Sequence, residues 1–220
     1  MNYMVTDNKF ITSWSGGKDS YYAFLLAKKT GLEPVCLLNM MNENDVISRS
    51  HAIPKHILQL QANALHLPLL TIPASWNSYE EKFIAALNDL KLNYNATHAV
   101  FGDIDLQAHK DWEDKVCNSA GLMAVLPLWK SNRKELVVAM LAAGIETYIV
   151  SCNNQMGSDF LGKQLTLQLV AQLQEIGVDA CGENGEYHTL VVNGPGFKNP
   201  IPVSFGDKYQ HNDYWFIKMN

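Results

Sequence analysis

Along the first 128 residues, short apolar runs alternate with longer stretches of helical period. The runs at 10–14, 34–40, 69–73, 97–102 and 124–128 are apolar nearly throughout, so they read as strands buried on both faces. The stretches at 21–27, 56–65, 79–92 and 106–120 read as buried or amphipathic helices, punctuated by Gly31 and Pro68. Strand followed by helix at this rhythm predicts an α/β fold: a Rossmann-like, five-stranded parallel sheet with helices on both faces. Right-handed crossovers leave few topologies and put ligands at the carboxyl ends of the strands.

The rhythm changes near Trp129. A helix is predicted at 135–144, a strand at 147–151 and a second helix at 161–176. From Glu186 the period becomes two, with Tyr187, Thr189 and Val191 set against His188, Leu190 and Val192. The turn Asn193-Gly194-Pro195-Gly196 follows, then strand-like runs at 201–205 and 214–219. This predicts a smaller C-terminal α+β domain at 129–220 beside the Rossmann-like domain at 1–128. No repeat, low-complexity segment or flexible linker separates them, so the two should pack closely.

Composition narrows the function classes. With 220 residues, 47% of them hydrophobic, the chain can bury a substantial core. A net charge of −5 gives no global basic field, so no nucleic-acid partner is expected. The N-terminal stretch from Met1 to Lys9 lacks a signal-peptide pattern, and no apolar run has the length of a bilayer span. Cys36, Cys117, Cys152 and Cys181 form no C-x-x-C pair, so they read as buried thiols in a reducing, cytoplasmic setting. Monomer and homodimer both fit.

The densest chemistry lies in Ser15-Gly16-Gly17-Lys18-Asp19-Ser20, between the first strand and the first helix. Paired glycines let backbone approach a phosphate, and a helix start offers unpaired N–H groups and the positive end of the dipole. Ser15 and Ser20 add hydroxyls, and Lys18 adds a mobile cation. The spacing matches neither the GxxxxGK[ST] loop nor the GxGxxG fingerprint. Cofactor contacts are assigned to Ser13, Ser15, Gly16, Gly17, Lys18, Asp19, Ser20, Leu38 and Gly102, with Asp19 the candidate magnesium ligand.

Three further clusters carry candidates. In Phe101-Gly102-Asp103-Ile104-Asp105, Gly102 leaves room for an adenine or ribose, while Asp103 and Asp105 can hold a metal or cap the next helix. Leu106, His109, Trp112 and Val116 share a helix face, which makes His109 either a core histidine or a polar group facing the cleft. In Cys181-Gly182-Glu183-Asn184-Gly185-Glu186-Tyr187-His188-Thr189, a hairpin turn alone accounts for Asn-Gly but not for two acids and an imidazole. Such groups can bind an amine, coordinate magnesium or act as general base. Ser48-Arg49-Ser50-His51 is either a site segment or an exposed loop. Lys18, Asp103, Glu183, Glu186 and His188 are the catalytic candidates; His51, His109, Asn184 and Thr189 are the substrate contacts.

The Ser-Gly-Gly-Lys-Asp-Ser loop resembles the PP-loop of N-type ATP pyrophosphatases, in the adenine nucleotide alpha-hydrolase-like (HUP) superfamily. Gln61-Ala62, Leu67-Pro68-Leu69, Gly102-Asp103-Ile104, Val116-Cys117, Gly121-Leu122, Pro127-Leu128-Trp129 and the block from Gly182 to Thr189 are similar to the diphthine–ammonia ligase family. The resemblance runs from Phe10 to about Pro202. It implies ATP and Mg2+ as cofactors, with a substrate carboxylate attacking the α-phosphorus to give an acyl-adenylate and pyrophosphate. Ammonia or an amine then displaces AMP to form an amide. Lys18, the backbone N–H groups and magnesium would stabilise the leaving pyrophosphate, and the Glu183/Glu186 region would hold ammonium or take its surplus proton.

The chain departs from the family's archaeal and eukaryotic members in two places. They show Glu-Gly-Gly-Glu-Tyr/Phe-Glu-Thr where this chain has Glu183 to Thr189, and Tyr-Gln-Arg/Lys-x-Arg where it has Ala108-His109-Lys110-Asp111-Trp112. An acid and an arginine are missing where the second substrate, an unidentified carboxylate acceptor, would be met. The variant is similar to the family's bacterial branch. Two other readings are a PP-loop RNA-modifying or sulfur-transfer enzyme, which wants paired cysteines and a basic face, and a nucleotide sensor without turnover.

Overall fold

The computed structural model describes residues 8–220, so the first seven positions, read above for a signal peptide, lie outside the described residues. Five parallel strands form the first sheet: β1 (Lys9–Ser13), β2 (Glu33–Met41), β3 (Leu69–Pro73), β4 (His98–Val100) and β5 (Met123–Val125). Their order is β3-β2-β1-β4-β5. Successive side chains of a strand face opposite ways. Phe10 and Leu37 therefore join one core with α1 (Lys18–Lys29) and α2 (Lys55–Leu65). Ile11 and Leu38 join another with α3 (Tyr79–Tyr94) and α4 (Gln107–Ala120). The chain leaves β1 to one side through β2 and returns on the other through β4. The switch point between β1 and β4 opens a crevice at their carboxyl ends, where such sheets bind ligands.

The C-terminal part carries a second, antiparallel sheet of β6 (Glu146–Asn153), β7 (Tyr187–Asn193), β8 (Phe205–His211) and β9 (Tyr214–Met219), ordered β7-β6-β9-β8. Two helices, α5 (Arg133–Ala142) and α6 (Leu167–Glu175), cover it. Ile149, Val150, Leu190 and Val191 share one continuous core with Phe10, Trp14 and Tyr21, so this sheet packs on the α1 side of the first. Polar bonds fix the join. The Val191 N–H donates to the Gly16 carbonyl at 3.0 Å. The Gln61 amide, fully buried, donates to the carbonyls of Gly16 (2.9 Å) and Val191 (2.7 Å) and accepts the Trp14 indole N–H at 2.9 Å.

Two predicted elements shift. The helix expected over 161–176 begins only at Leu167, where the Thr166 hydroxyl caps the Leu169 N–H. Residues 161–165 instead run beside β6, exchanging Gly162, Lys163 and Leu165 backbone bonds with Ile149 and Thr147. The strand expected over 201–205 starts at Phe205 and runs to His211, because Ile201 is tied to the Val192 carbonyl and only the later residues reach β9. Among the described residues no helix is long and apolar enough to cross a membrane.

Candidate active site

The glycine loop links β1 to α1 at the switch point. A Cβ on Gly17 would lie 2.7 Å from the His51 imidazole and 3.0 Å from the Thr189 carbonyl, so only glycine lets β7 close down on the loop. Gly17 also opens α1 without a side-chain cap. The Lys18 N–H bonds the buried Thr189 hydroxyl at 3.1 Å, and the Gly17 N–H bonds the Ser15 hydroxyl at 3.2 Å. Part of the expected phosphate cradle is thus committed to internal partners. Ser15 and Ser20 are joined hydroxyl to hydroxyl at 3.0 Å, and both line the cleft.

Lys18 is not the mobile cation the sequence promised. It is 2% exposed, its ammonium bonded to Asp19 Oδ2 at 2.8 Å and to the Cys181 carbonyl, and seated 5.3 Å from the centre of the Tyr187 ring. Burial alone would lower its pKa, but Asp19, Tyr187 and Cys181 together outweigh that and raise it. Burial in turn raises Asp19, with Lys18 acting against it. The segment leading into β7 therefore holds the lysine through a backbone carbonyl.

In front of the loop lies a cleft of about 590 Å³ formed by both sheets. Ser13, Ser15, Asp19 and Ser20 line its near wall, with His51 from the loop after β2. Gly102 and Asp103 line it from the loop after β4 and His109 from the start of α4, with Glu183 and Asn184 from the segment leading into β7 and His188 from β7 itself. Eleven positions singled out from sequence thus meet in one place. Leu38 lies deeper, its carbonyl accepting the Trp14 N–H, beside a smaller cavity of about 120 Å³ that shares Ser13, Ser15 and His51 with the cleft. The segment from Ser48 to His51 is no exposed loop as a whole: Ser48 is buried, and Arg49 stacks over Trp76 at 4.6 Å.

Gly102 has a different task from the one expected. A Cβ there would fall 2.6 Å from the Ser20 backbone nitrogen, so the space it leaves is filled by the first turn of α1 rather than by a base or ribose. Neither Asp103 nor Asp105 caps α4, whose N-cap is Leu106. Asp105 turns outward to Arg133, which donates from Nε at 2.8 Å and Nη2 at 2.6 Å. Asp103 accepts from His109 Nδ1 at 2.7 Å. His109 is accordingly a cleft residue, its side chain 57% exposed, and not a core histidine. Glu186, expected among the catalytic groups, accepts the N–H groups of Asp179 and Asn184 and closes its own turn away from the cleft lining. Thr189 is likewise buried on Lys18 instead of facing a substrate.

The charges around the cleft fall into two sets. Burial holds His188 down at about 4, with Lys18 adding to it. His51, whose ring lies 4.5 Å from that of His188, is pushed well below its ordinary value by burial, His188 and Lys18. Both imidazoles are neutral at neutral pH. Burial and then the carboxylates of Asp19 and Asp103 raise Glu183 to about 7. Burial would raise Asp103, but hydrogen bonds from His109 and Glu113 outweigh it and keep its pKa low. Glu113, which sequence reasoning missed, is 2% exposed and raised to about 11 by burial and by Asp103. An acid three and four positions before the buried Val116 and Cys117 was the available signal. All four cysteines are buried and unpaired, and burial pushes Cys117 and Cys181 up to about 12.

A glycine loop at the switch point of a parallel sheet, faced by carboxylates and imidazoles, is the arrangement of an enzyme that works on a nucleotide. The chain belongs to the diphthamide synthase family: residues 8–124 match the diphthamide synthase N-terminal domain and 132–220 the diphthamide synthase C-terminal domain. It is similar to the diphthine–ammonia ligase of Mus musculus, 28% identical over 224 residues that take in 90% of this chain and 84% of that protein. The Homo sapiens diphthine–ammonia ligase is 27% identical with the same coverage. The Schizosaccharomyces pombe one is 25% identical, matched over 36% of its own length. A solved structure described as a predicted subunit of tRNA methyltransferase from Methanocaldococcus jannaschii matches with a TM-score of 0.46 at 17% identity, over 88% of this chain and 100% of that one. This kinship makes the chain an ATP-dependent ligase.

Proposed function

We propose that the chain forms an amide from a carboxylate and ammonia or an amine, by way of an acyl-adenylate. The observation that carries this reading is the cleft itself, with the glycine loop on one wall and Glu183, Asp103 and His109 on the other. ATP would lay its β- and γ-phosphates against Ser15, Ser20 and the α1 start. The substrate carboxylate would attack the α-phosphorus in line with the departing pyrophosphate, so the cleft acts chiefly by alignment. The residues suit a magnesium ion: Asp19 Oδ1 is a buried carboxylate oxygen with no hydrogen-bond partner. When bound, the ion would neutralise charge on the phosphates.

Glu183 would hold the ammonium, since a carboxyl raised to about 7 is partly ionised at neutral pH. In this division, residues 1–128 form the nucleotide domain and 129–220 the part that meets the second substrate. The relatives are named for diphthine and ammonia. Here His188 stands neutral in the wall that meets the acceptor, which favours an acceptor of lower positive charge than a site with a carboxylate there. Product analysis tests the reading. Incubation with ATP, magnesium, ammonium and a panel of carboxylates that includes a diphthine peptide should release AMP and pyrophosphate only when acceptor and ammonium are both present. Release of ADP, or product formation indifferent to ammonium, would overturn it.

A further inference from the structure

We infer that His109 takes the proton shed by the attacking amine, and that Asp103 and the buried Glu113 are the positioning residues that hold its ring. The inference rests on the carboxylate–amine ligase reading and assigns the proton within it. His109 and Glu113 stand four apart on α4, one turn of helix, and so reach the same side. Both reach Asp103, which comes from the loop after β4. His109 Nδ1 lies 2.7 Å from Asp103 Oδ1. Glu113 is buried beside the same carboxylate, its Oε2 meets no other hydrogen-bond partner, and in its acid form it can donate to Asp103.

A carboxylate at hydrogen-bond distance from Nδ1 fixes which imidazole nitrogen carries hydrogen. Nδ1–H points to Asp103, and the Nε2 lone pair remains on the exposed part of the ring that lines the cleft. An orienting carboxylate also stabilises the imidazolium as it forms, the logic by which acid–imidazole pairs serve as bases. The charged groups that face this ring are Asp103 from the loop after β4 and Glu183 from the segment before β7. Asp19 of α1 faces Asp103 and Glu183, and Lys110 and Asp114 on α4 face Glu113. In the step itself, the ammonium held at Glu183 first gives that carboxylate one proton, and the freed nitrogen lone pair forms the C–N bond to the acyl carbon. The C–O bond to the adenylate breaks, its electron pair leaving on the phosphate of AMP. The proton that the nitrogen sheds passes to His109 Nε2.

The test separates the two halves of the reaction in the full chain. With the same carboxylate panel, ATP and ammonium, His109→Gln should lower amide formation by about 100-fold. Pyrophosphate release in a single turnover should fall by only a few-fold. Hydroxylamine, a nucleophile less dependent on a base, should restore most of the amide-forming rate. Equal loss of both halves would overturn the proton-acceptor role alone. No pyrophosphate from the wild type would overturn the ligase reading, and this role with it.

A second readout needs no turnover. In isotope-labelled protein, nuclear magnetic resonance should show the Nδ1–H tautomer at His109 and a pKa above that of an ordinary histidine. Asp103→Asn should lower that pKa by a unit or more, Glu113→Ala should loosen the tautomer, and Glu113→Gln should restore it. An Nε2–H tautomer in the wild type would overturn the assignment.

Discussion

The two walls of the cleft handle charge in opposite ways. On the loop wall Lys18 is already paired with Asp19 and a backbone carbonyl, and the neighbouring His51 is neutral. On the far wall, acid groups share protons: Glu113 keeps one, Asp103 has none, and Glu183 sits near the middle. The contrast teaches that the loop is a rigid seat whose electrostatics are set by folding. The wall opposite is where protonation can change during a reaction.

Breaking the seat should have the largest effect. Lys18→Met leaves Asp19 and the Cys181 carbonyl without their buried partner, so urea unfolding should show a loss of about 3–4 kcal/mol. A loss below about 1 kcal/mol would mean that the two sheets do not depend on this lysine. The far wall should instead reveal itself through pH. Glu113 is raised from its ordinary 4.5 to about 11, so the folded state holds a proton that the unfolded chain gives up. Its contribution is fully present below 4.5 and declines as pH rises towards 11. Between about pH 6 and 8 this one group should remove about 3 kcal/mol of stability, and Glu113→Gln should flatten that slope. An unchanged slope in the variant would show that Glu113 is ionised in the fold. Smallest of all should be Asp105→Asn at the partly exposed Arg133 pair, about 0.5–1 kcal/mol by thermal unfolding.

Local chemistry was legible in the sequence, and long-range packing was not. The strands from β1 to β4 and the Ser15–Ser20 loop depend on short patterns, and all of them fall where the pattern put them. The carboxylates and imidazoles from three distant segments do meet in one cleft. What each does there depends on neighbours the sequence does not name. Gly102 reads as room for a ligand until α1 is seen to occupy it. Lys18 reads as free until β7 and Cys181 are brought over it. Glu186 carries the same acid as Glu183, yet only the fold shows that its oxygens bond its own turn. The 161–166 stretch has helical period, but pairing with β6 outcompetes the helix. Glu113 looks like one more charge on a solvated helix until Asp103 is placed against it.

The central claim is that the carboxylate attacks the α-phosphorus of ATP while the loop holds the departing pyrophosphate. Mass spectrometry of the products formed from an acceptor whose carboxylate carries heavy oxygen tests it most directly. One heavy oxygen should appear in the phosphate of AMP, and none in pyrophosphate. Heavy oxygen in pyrophosphate or inorganic phosphate, or none transferred to AMP while amide is made, would contradict the account.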